Sequence, residues 1–210
     1  MSRILGLDVS TKTIGVSIFE DLGDQGKLQL LTHITPKVKP LPKDKIELLI
    51  KKADMFQYEF LEKYSDIGIS RVIIEEPLVR SNNVNTVATL LRFNGLICRS
   101  VYEVLNIVPE FISSYDSRKY GFPELMEIRK KNKKGELYSE RELSKKEPVL
   151  FGGYSYDVDK KTVIWEKVND REPQIVWFYD KNQKLRKENY DMSDAYVCVL
   201  GQLRKEKKWK

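Results

Sequence analysis

Four acidic residues stand at positions where a carboxylate needs an explanation. Asp8 lies within the apolar run 3–9, and Glu75 directly follows the β-branched run 71–74. Asp191 and Asp194 are three residues apart at the start of an expected helix, so their side chains share one face. A buried carboxylate is costly unless it is paired or metal-bound, and neighbouring carboxylates repel unless a cation lies between them. Together the four form a hard-oxygen set suited to Mg²⁺ or Mn²⁺.

Each acid taken singly has a simpler interpretation. Asp8 can be a turn residue, and Glu75 can form a salt bridge to a lysine. Asp191 and Asp194 can cap a helix, because helix N-termini favour negative charge. If the strands that carry Asp8 and Glu75 are parallel neighbours, however, their side chains come within about 5 Å of each other. The metal-site interpretation therefore depends on the strand order.

The spacing of apolar residues predicts the elements that would position these acids. Three strands with short links predict an antiparallel meander, and two further strands joined by helices predict parallel pairing. The expected strands are 3–9, 13–19, 27–34, 71–74 and 107–113, and the expected helices are 43–64, 85–105, 159–168 and 191–204. We therefore predict an α/β fold, a mixed five-stranded sheet of three antiparallel and two parallel strands with helices on both faces. Gly95 in the middle of the second helix predicts close packing of that helix against the sheet.

The length fits a single domain, 1–210, with a charged insertion at about 122–158 and a basic tail at about 205–210 that we expect to fray. Hydrophobic residues make up 41% of the chain and charged residues 32%, a composition typical of soluble globular proteins. No apolar run is long enough to cross a membrane, and an acidic residue comes too early for a signal peptide, so we expect a cytoplasmic protein.

The residue types also restrict the chemistry. His33 is the single histidine, and Cys98 and Cys198 are two separate cysteines in apolar stretches, so histidine triads and Cys/His metal sites are not expected. Lysine and arginine number 37 against 31 acidic residues, for a net charge of +6. This moderate excess permits nucleic-acid binding without requiring it.

Three segments resemble the carboxylate motifs of RuvC-type Holliday junction resolvases, in particular the phage branch. They read ILGLDVSTKTIG at 4–15, VIIEEPL at 72–78 and DMSDA at 191–195. The resemblance extends to about residue 120 and resumes near residue 159, and the segment between departs from the compact bacterial pattern. It implies a ribonuclease H-like fold and a homodimer that cuts four-way DNA junctions with paired symmetric nicks, using Mg²⁺. If phage-encoded, the protein would act in the host cytoplasm.

The resemblance assigns the acids position by position. Asp8 matches the aspartate of the first strand, and Glu75 matches the fourth-strand glutamate better than Glu76 does. Asp191 and Asp194 match the pair on the last helix. All four would be catalytic metal ligands in a two-metal phosphodiester hydrolysis, which requires no histidine.

The resemblance also implies residues that contact DNA. Lys160 resembles a catalytic lysine near the scissile phosphate, and Lys161 is the alternative by one register step. Leu78 falls in the loop where related resolvases insert an apolar side chain at the junction centre. Further candidates for DNA contact in this loop are Arg80, Asn82 and Asn83.

Other functions remain open from the sequence. The carboxylates do not distinguish a junction resolvase from a nuclease for flaps, other branched DNA or RNA, because substrate preference resides in loops. The segment 8–15 also resembles the first phosphate loop of actin- and hexokinase-type ATPases, although no second such loop follows. A catalytically inactive junction-binding protein is disfavoured by the presence of all four acids.

Overall fold

The computed structural model describes residues 1–23, 25–77, 83–207 and 209. Its main element is a five-stranded sheet with the order β3-β2-β1-β4-β5. The strands are β1 (Arg3–Val9), β2 (Ile14–Asp21), β3 (Gly26–Ile34), β4 (Ile69–Glu75) and β5 (Glu110–Ile112). Strand β2 is antiparallel to both β1 and β3, whereas β4 is parallel to both β1 and β5. The predicted fold class is confirmed.

Helices cover both faces of this sheet. They are α1 (Lys45–Phe56), α2 (Val84–Leu105), α3 (Ser114–Gly121), α4 (Glu140–Leu143), α5 (Lys160–Arg171) and α6 (Glu188–Lys205). A small second sheet pairs β6 (Met126–Glu127) with β7 (Val149–Leu150). No helix among the described residues is long and apolar enough to cross a membrane.

Two hydrophobic cores lie on opposite faces of the sheet. Successive side chains of a strand point to opposite faces. In β1, Ile4 therefore joins the core under α5 and α6, whereas Leu5 and Leu7 join the core under α1 and α2. Burial on both faces explains why β1 reads as a nearly continuous apolar run.

The structure departs from the predicted helices in several places. The first helix ends at Phe56 and continues as a π-helical turn and a 3-10 helix, Gln57–Leu61 and Glu62–Ile67. Helix α6 begins at Glu188, three residues before the expected start. Helix α3 was not predicted, because its polar sequence has no apolar periodicity.

The prediction for Gly95 was wrong. A Cβ at residue 95 would meet nothing within 4 Å, and Gly95 is exposed. Helix α2 instead buries a face that includes Phe93, Ile97 and Val101. The apolar residues that share the face of Gly95 thus point away from the sheet.

The indole of Trp209, near the C-terminus, is buried in the core. Its ring centroid lies 5.4 Å from that of Phe19, and its Nε1 donates to the Asp21 carboxylate at 3.4 Å. The expectation that the tail frays stays a prediction.

Candidate active site

The first two acids lie side by side at one edge of the sheet. Leu7 of β1 pairs with Ile74 of β4 in a parallel register, so Asp8 and Glu75 follow at adjacent strand positions. Both side chains are partly buried and line the same cleft. The strand order on which the metal-site interpretation depends is therefore present.

Helix α6 brings the other two acids to this edge because small residues let its backbone approach the sheet. Gly15 lies directly opposite Asp8 in the β1–β2 ladder, and a Cβ at residue 15 would stand 1.9 Å from the carbonyl oxygen of Asp191. A Cβ at Gly6 would stand 2.5 Å from the carbonyl oxygen of Ala195. The hydroxyl of Ser17 donates to that same carbonyl at 2.9 Å. The spacing of Gly6, Gly15 and Ser17 thus fixes where Asp191 and Asp194 point.

Burial and mutual repulsion oppose ionisation of these acids. Burial raises the pKa of Asp8 well above its usual value, and repulsion by Glu75 and then Asp194 raises it further. Burial, followed by repulsion from Asp194, raises the pKa of Glu75 to about 8. Burial is also the main cause that raises the pKa of Asp191 to about 6, partly offset by Lys161. The site therefore carries more carboxylates than its surroundings can hold as anions.

Two cationic side chains reach into this cluster. The Nζ of Lys161 lies 3.6 Å from Oδ1 of Asp191 and 3.6 Å from Oδ2 of Asp194. The Nη2 of Arg118 donates to Oδ1 of Asp194 at 3.0 Å. Burial alone lowers the pKa of Lys161, but attraction by the carboxylates, Asp194 first, outweighs it and leaves the pKa raised. Lys161 and Arg118 therefore stay protonated and partly neutralise the acids.

Arg118 was not identified from the sequence. It projects from α3, whose N-terminus is capped by the Ser113 hydroxyl bound to the Asp116 amide. Its side chain is mostly buried, and its Nε has no hydrogen-bond partner among the described residues. A buried N–H donor without a partner at the wall of an open cleft is a ready donor for a bound anion.

The donor set fits a divalent metal by its chemistry. Carboxylate oxygens are the preferred protein ligands of Mg²⁺, and the raised pKa values of Asp8, Glu75 and Asp191 favour an added positive charge. As they stand, however, no three His, Cys, Asp or Glu side chains of the described segments form a group that could hold an ion. The ion pairs of Asp191 and Asp194 give the physical reason, since their oxygens point towards Lys161 and Arg118. Lys161 is 49% exposed and can move away. The residue types of the cluster therefore fit a divalent metal, provided that Lys161 moves away from the carboxylates.

The acids lie midway along an open groove. A cleft of about 520 Å³ contains all four carboxylates, Arg118 and Lys161. It shares Ser10 and Leu90 with a compartment of about 400 Å³ that is rich in hydroxyl groups. It also shares Arg118 and Lys160 with a compartment of about 770 Å³. The cleft that holds the acids is therefore continuous with two neighbouring compartments and long enough for an extended ligand.

The remaining predicted residues occupy different places. Lys160 lines the groove with its Nζ 5.9 Å from the centre of the Phe151 ring and does not contact the acids as Lys161 does. The Asn83 side chain caps α2 by accepting from the Thr86 amide. Leu78, Arg80 and Asn82 lie outside the described residues, so their expected DNA contacts stay predictions.

Comparison with solved structures identifies the fold. Thermus thermophilus RuvC in complex with a Holliday junction substrate superimposes with a TM-score of 0.59, at 9% identity, over 98% of this chain and 95% of that one. Another Thermus thermophilus RuvC structure gives a TM-score of 0.54, at 11% identity, over 97% and 95% of the two chains. The yeast mitochondrial Holliday junction resolvase Ydc2 gives 0.56, at 12% identity, over 97% and 78%.

No family model matches the sequence, and none of the curated proteins matches it significantly. At identities this low, structural similarity establishes a shared fold and leaves the activity to be argued from the site. The resemblance seen in the three carboxylate motifs is thus confirmed at the level of the fold, and the chain has the ribonuclease H-like architecture of RuvC resolvases.

Proposed function

We propose that this protein is a Mg²⁺-dependent endonuclease that cuts four-way DNA junctions. The observation that carries the proposal is that Asp8, Glu75, Asp191 and Asp194 lie together with two cationic side chains, Arg118 and Lys161, in an open groove. The similarity in fold to RuvC, which was solved with a Holliday junction, supports this choice of substrate over other nucleic acids.

The groove suits a phosphodiester backbone. Hydroxyl groups line one end of it, from Ser10, Thr11, Thr86 and Thr89, and Ser114 and Lys160 lie towards the other end. Hydroxyls, backbone amides and lysines are the groups that proteins use to bind phosphate oxygens. An anionic strand would otherwise be repelled by four carboxylates, so its approach requires the cations of this site.

The residues of the site divide into ligands and donors. The four carboxylates would hold a divalent ion, which would supply a water of lowered pKa and neutralise the leaving oxygen. Arg118 and Lys161 would then lose their partners on Asp194 and Asp191. Their N–H groups would be free to donate to the phosphate oxygens on which negative charge develops. Release of these two side chains would therefore couple metal binding to substrate binding.

The proposal includes a homodimer, since a four-way junction has approximate two-fold symmetry and paired nicks need two sites. Helix α2 offers the face. An apolar stripe at alternating steps of four and three residues runs along α2 and consists of Val84, Ala88, Leu91, Gly95, Cys98 and Tyr102. Val84, Leu91, Gly95 and Tyr102 of this stripe are exposed. This spacing matches the contact seam of two packed helices, and small residues at Ala88 and Gly95 permit close approach.

The test is cleavage of a labelled mobile four-way junction in the presence of Mg²⁺. Wild type should give paired symmetric nicks, whereas Asp8→Asn and Asp191→Asn should bind the junction without cutting it. Asp170→Asn, an exposed acid on α5, serves as the matched control and should cut normally. Absence of junction cleavage by wild type, or cutting that survives both substitutions, would overturn the proposal. Flap DNA, RNA and ATP would then be tried in that order.

A further inference from the structure

Two short segments of this protein are strongly basic. The C-terminal residues 204–210 contain five lysines and arginines and one glutamate. Residues 129–146 contain eight lysines and arginines and three glutamates, a net charge of +5. A cluster of like charges on a surface favours binding of a partner of opposite charge.

The segment 129–146 belongs to a folded unit, residues 126–157, which we call the basic module. Strands β6 and β7 close it at its base, and Lys131 bridges to Leu137 in an antiparallel manner around a turn. Ser139 and Glu142 form a capping box at the start of α4. The module is thus held by regular backbone pairing at several points along its length.

Aromatic and arginine contacts fix the two sides of the module to each other. Arg129 donates to the carbonyl oxygens of Tyr154 and Phe151 at 2.8 and 2.9 Å. Its guanidinium lies 4.2 Å from the centre of the Tyr156 ring. These contacts fix a concave surface between the lysine-rich turn and the segment 152–157.

The resulting cleft, of about 650 Å³, is lined by four lysines whose charges are not neutralised. Lys130, Lys131, Lys133 and Lys134 are exposed, and none of them forms an ion pair with any described residue. Elsewhere on the surface, cations such as Lys51 and Arg99 pair with glutamates one helical turn away. Glu127 and Asp157 are the acidic residues on the cleft wall, too few to balance the lysines.

The base of the module also forms part of the groove at the candidate active site. Val149, Leu150 and Phe151 line the compartment next to the carboxylates, together with Arg118. Phe151 is buried in the core below α5 and α6. The basic module is therefore attached to the wall of the groove. A DNA strand bound at the acids would pass along this wall.

We propose that the basic module binds the phosphate backbone of a duplex DNA arm that extends from the site of cutting. This rests on the proposed function for the presence of DNA in the groove. Exposed lysines on a fixed concave surface gain affinity by releasing the counterions that surround a duplex, independently of base sequence. The exposed lysines of the module thereby supply positive charge beside the acidic cleft.

The experiment measures the salt dependence of binding by proteins that also carry Asp8→Asn, which we expect to prevent cutting. The probes are a four-way junction and a plain duplex with the sequence of one arm. The test variant replaces Lys130, Lys131 and Lys133 by glutamine. Its matched control replaces Lys27, Lys63 and Lys207, exposed lysines at the opposite end of the sheet from the acids. A third variant replaces the module lysines by arginine, which keeps the charge.

The module variant should weaken binding to both probes and reduce the slope of log affinity against log salt by about 0.9 for each phosphate that is no longer neutralised. The control and the arginine variant should keep the wild-type slope. An unchanged slope in the glutamine variant, or an equal reduction in the control, would overturn the inference. Junction cleavage by the same lysine variants with Asp8 intact, at saturating protein, tests the proposed function separately. A reduced slope without any junction cutting by wild type would retain the module as a DNA-binding surface and reject the resolvase.

Discussion

Gly15 lies so close to the carbonyl oxygen of Asp191 that a Cβ at residue 15 would stand 1.9 Å from it. The contact is between two backbones, so no rotation of a flexible side chain can relieve it. It joins the strand opposite Asp8 to the first turn of the helix that carries Asp191 and Asp194. The relative position of the two halves of the candidate site therefore depends on the absence of a side chain at one residue.

Gly15→Ala should displace the N-terminus of α6 from β2 and abolish most of the cleavage activity. Overpacking of this kind typically costs about 1 to 3 kcal/mol of stability. Activity should be measured well below the melting temperature, so that loss of folded protein does not account for it. Thr32→Ala, in β3 opposite Val16, is the control and should retain activity. A fully active Gly15→Ala protein would show that the acids tolerate a shift of α6.

Arg118→Met should lower both stability and turnover, because it leaves Asp194, which is 3% exposed, with Lys161 as its remaining ion-pair partner. Removal of one partner of a buried pair usually costs about 3 to 5 kcal/mol, and we expect roughly 2 because Lys161 stays. Thermal unfolding with a chelator present measures this cost. Adding Asp194→Asn to Arg118→Met should recover much of the stability and none of the activity. Equal stability of Arg118→Met and wild type would contradict the ion pair.

Lys161→Met should reduce the cleavage rate far more than Lys160→Met does. Only the first of these two ammonium groups lies 3.6 Å from both Asp191 and Asp194, whereas Lys160 points along the groove. Removal of one donor to a developing negative charge typically lowers the rate about a hundredfold or more. Single-turnover cleavage at saturating protein separates this effect from weaker DNA binding. A larger loss in Lys160→Met would return the catalytic role to the residue that the motif resemblance favoured.

Lys160 and Lys161 show how precisely the sequence predicts the residues of the site. The helix expected from residue 159 is present, and the Asp159 side chain caps α5 by accepting from the amides of Lys161 and Thr162. One step along a helix rotates a side chain by about 100°, so an error of one residue separates the carboxylates from the open groove. The apolar runs of β1 and β4, by contrast, left little freedom, and Asp8 and Glu75 lie at adjacent strand ends as the sequence predicts.

The role of Arg118 could not be predicted from the sequence. Its helix, SYDSRKYG, has no apolar stripe, and it is one of 37 basic residues in the chain. Its role is visible only because β5 and α3 fold back to place it against Asp194. Gly15, by contrast, lies in a segment that the motif resemblance identified. The steric reason for a glycine there, its close approach to the Asp191 carbonyl oxygen, becomes visible only when the position of α6 is known. Long-range contacts of this kind are not encoded in local periodicity.

Stability without metal should fall as the pH rises. Burial and the neighbouring Asp194 raise the pKa of Glu75 from 4.5 to about 8, and that of Asp191 is raised from 3.8 to about 6, mainly by burial. Between about pH 4.5 and about pH 8 the folded protein binds more protons than the unfolded chain. The free energy of unfolding therefore decreases as those protons are lost with rising pH. Thermal unfolding in a chelator should show a decline from about pH 4.5 to about pH 8.

Glu75→Gln should flatten this decline, because the amide cannot ionise. At the upper limit we expect the variant to be more stable than wild type by roughly 1 to 3 kcal/mol, since each pKa unit corresponds to about 1.4 kcal/mol and solvent screens part of it. Mg²⁺ should stabilise wild type more at high than at low pH, since protons compete for the same oxygens. Glu59→Gln, an exposed acid, is the control. Identical pH profiles for wild type and Glu75→Gln would contradict the repulsion in the cluster.

The stripe on α2 should hold the proposed dimer together. Leu91 is 43% exposed and Tyr102 54% exposed, and both lie on the face that points away from the sheet. Leu91→Glu would place two like charges near the two-fold axis of a helix pair, where they cannot be hydrated, so the dimer should dissociate. Leu91 is not part of either hydrophobic core, so the monomer should keep its fold.

Sedimentation of the free protein measures the assembly, and the cleavage pattern measures its consequence. Wild type should sediment as a dimer and cut both strands of a junction within the lifetime of one complex. Leu91→Glu should sediment as a monomer and produce single, unpaired nicks, because each active site remains intact while the symmetric partner is lost. Leu41→Glu, at an exposed residue of the connector before α1, introduces the same charge outside the stripe and should leave the dimer intact. A dimer that survives Leu91→Glu would exclude α2 as the interface. Paired nicking by a monomeric protein would show that cleavage does not require a dimer.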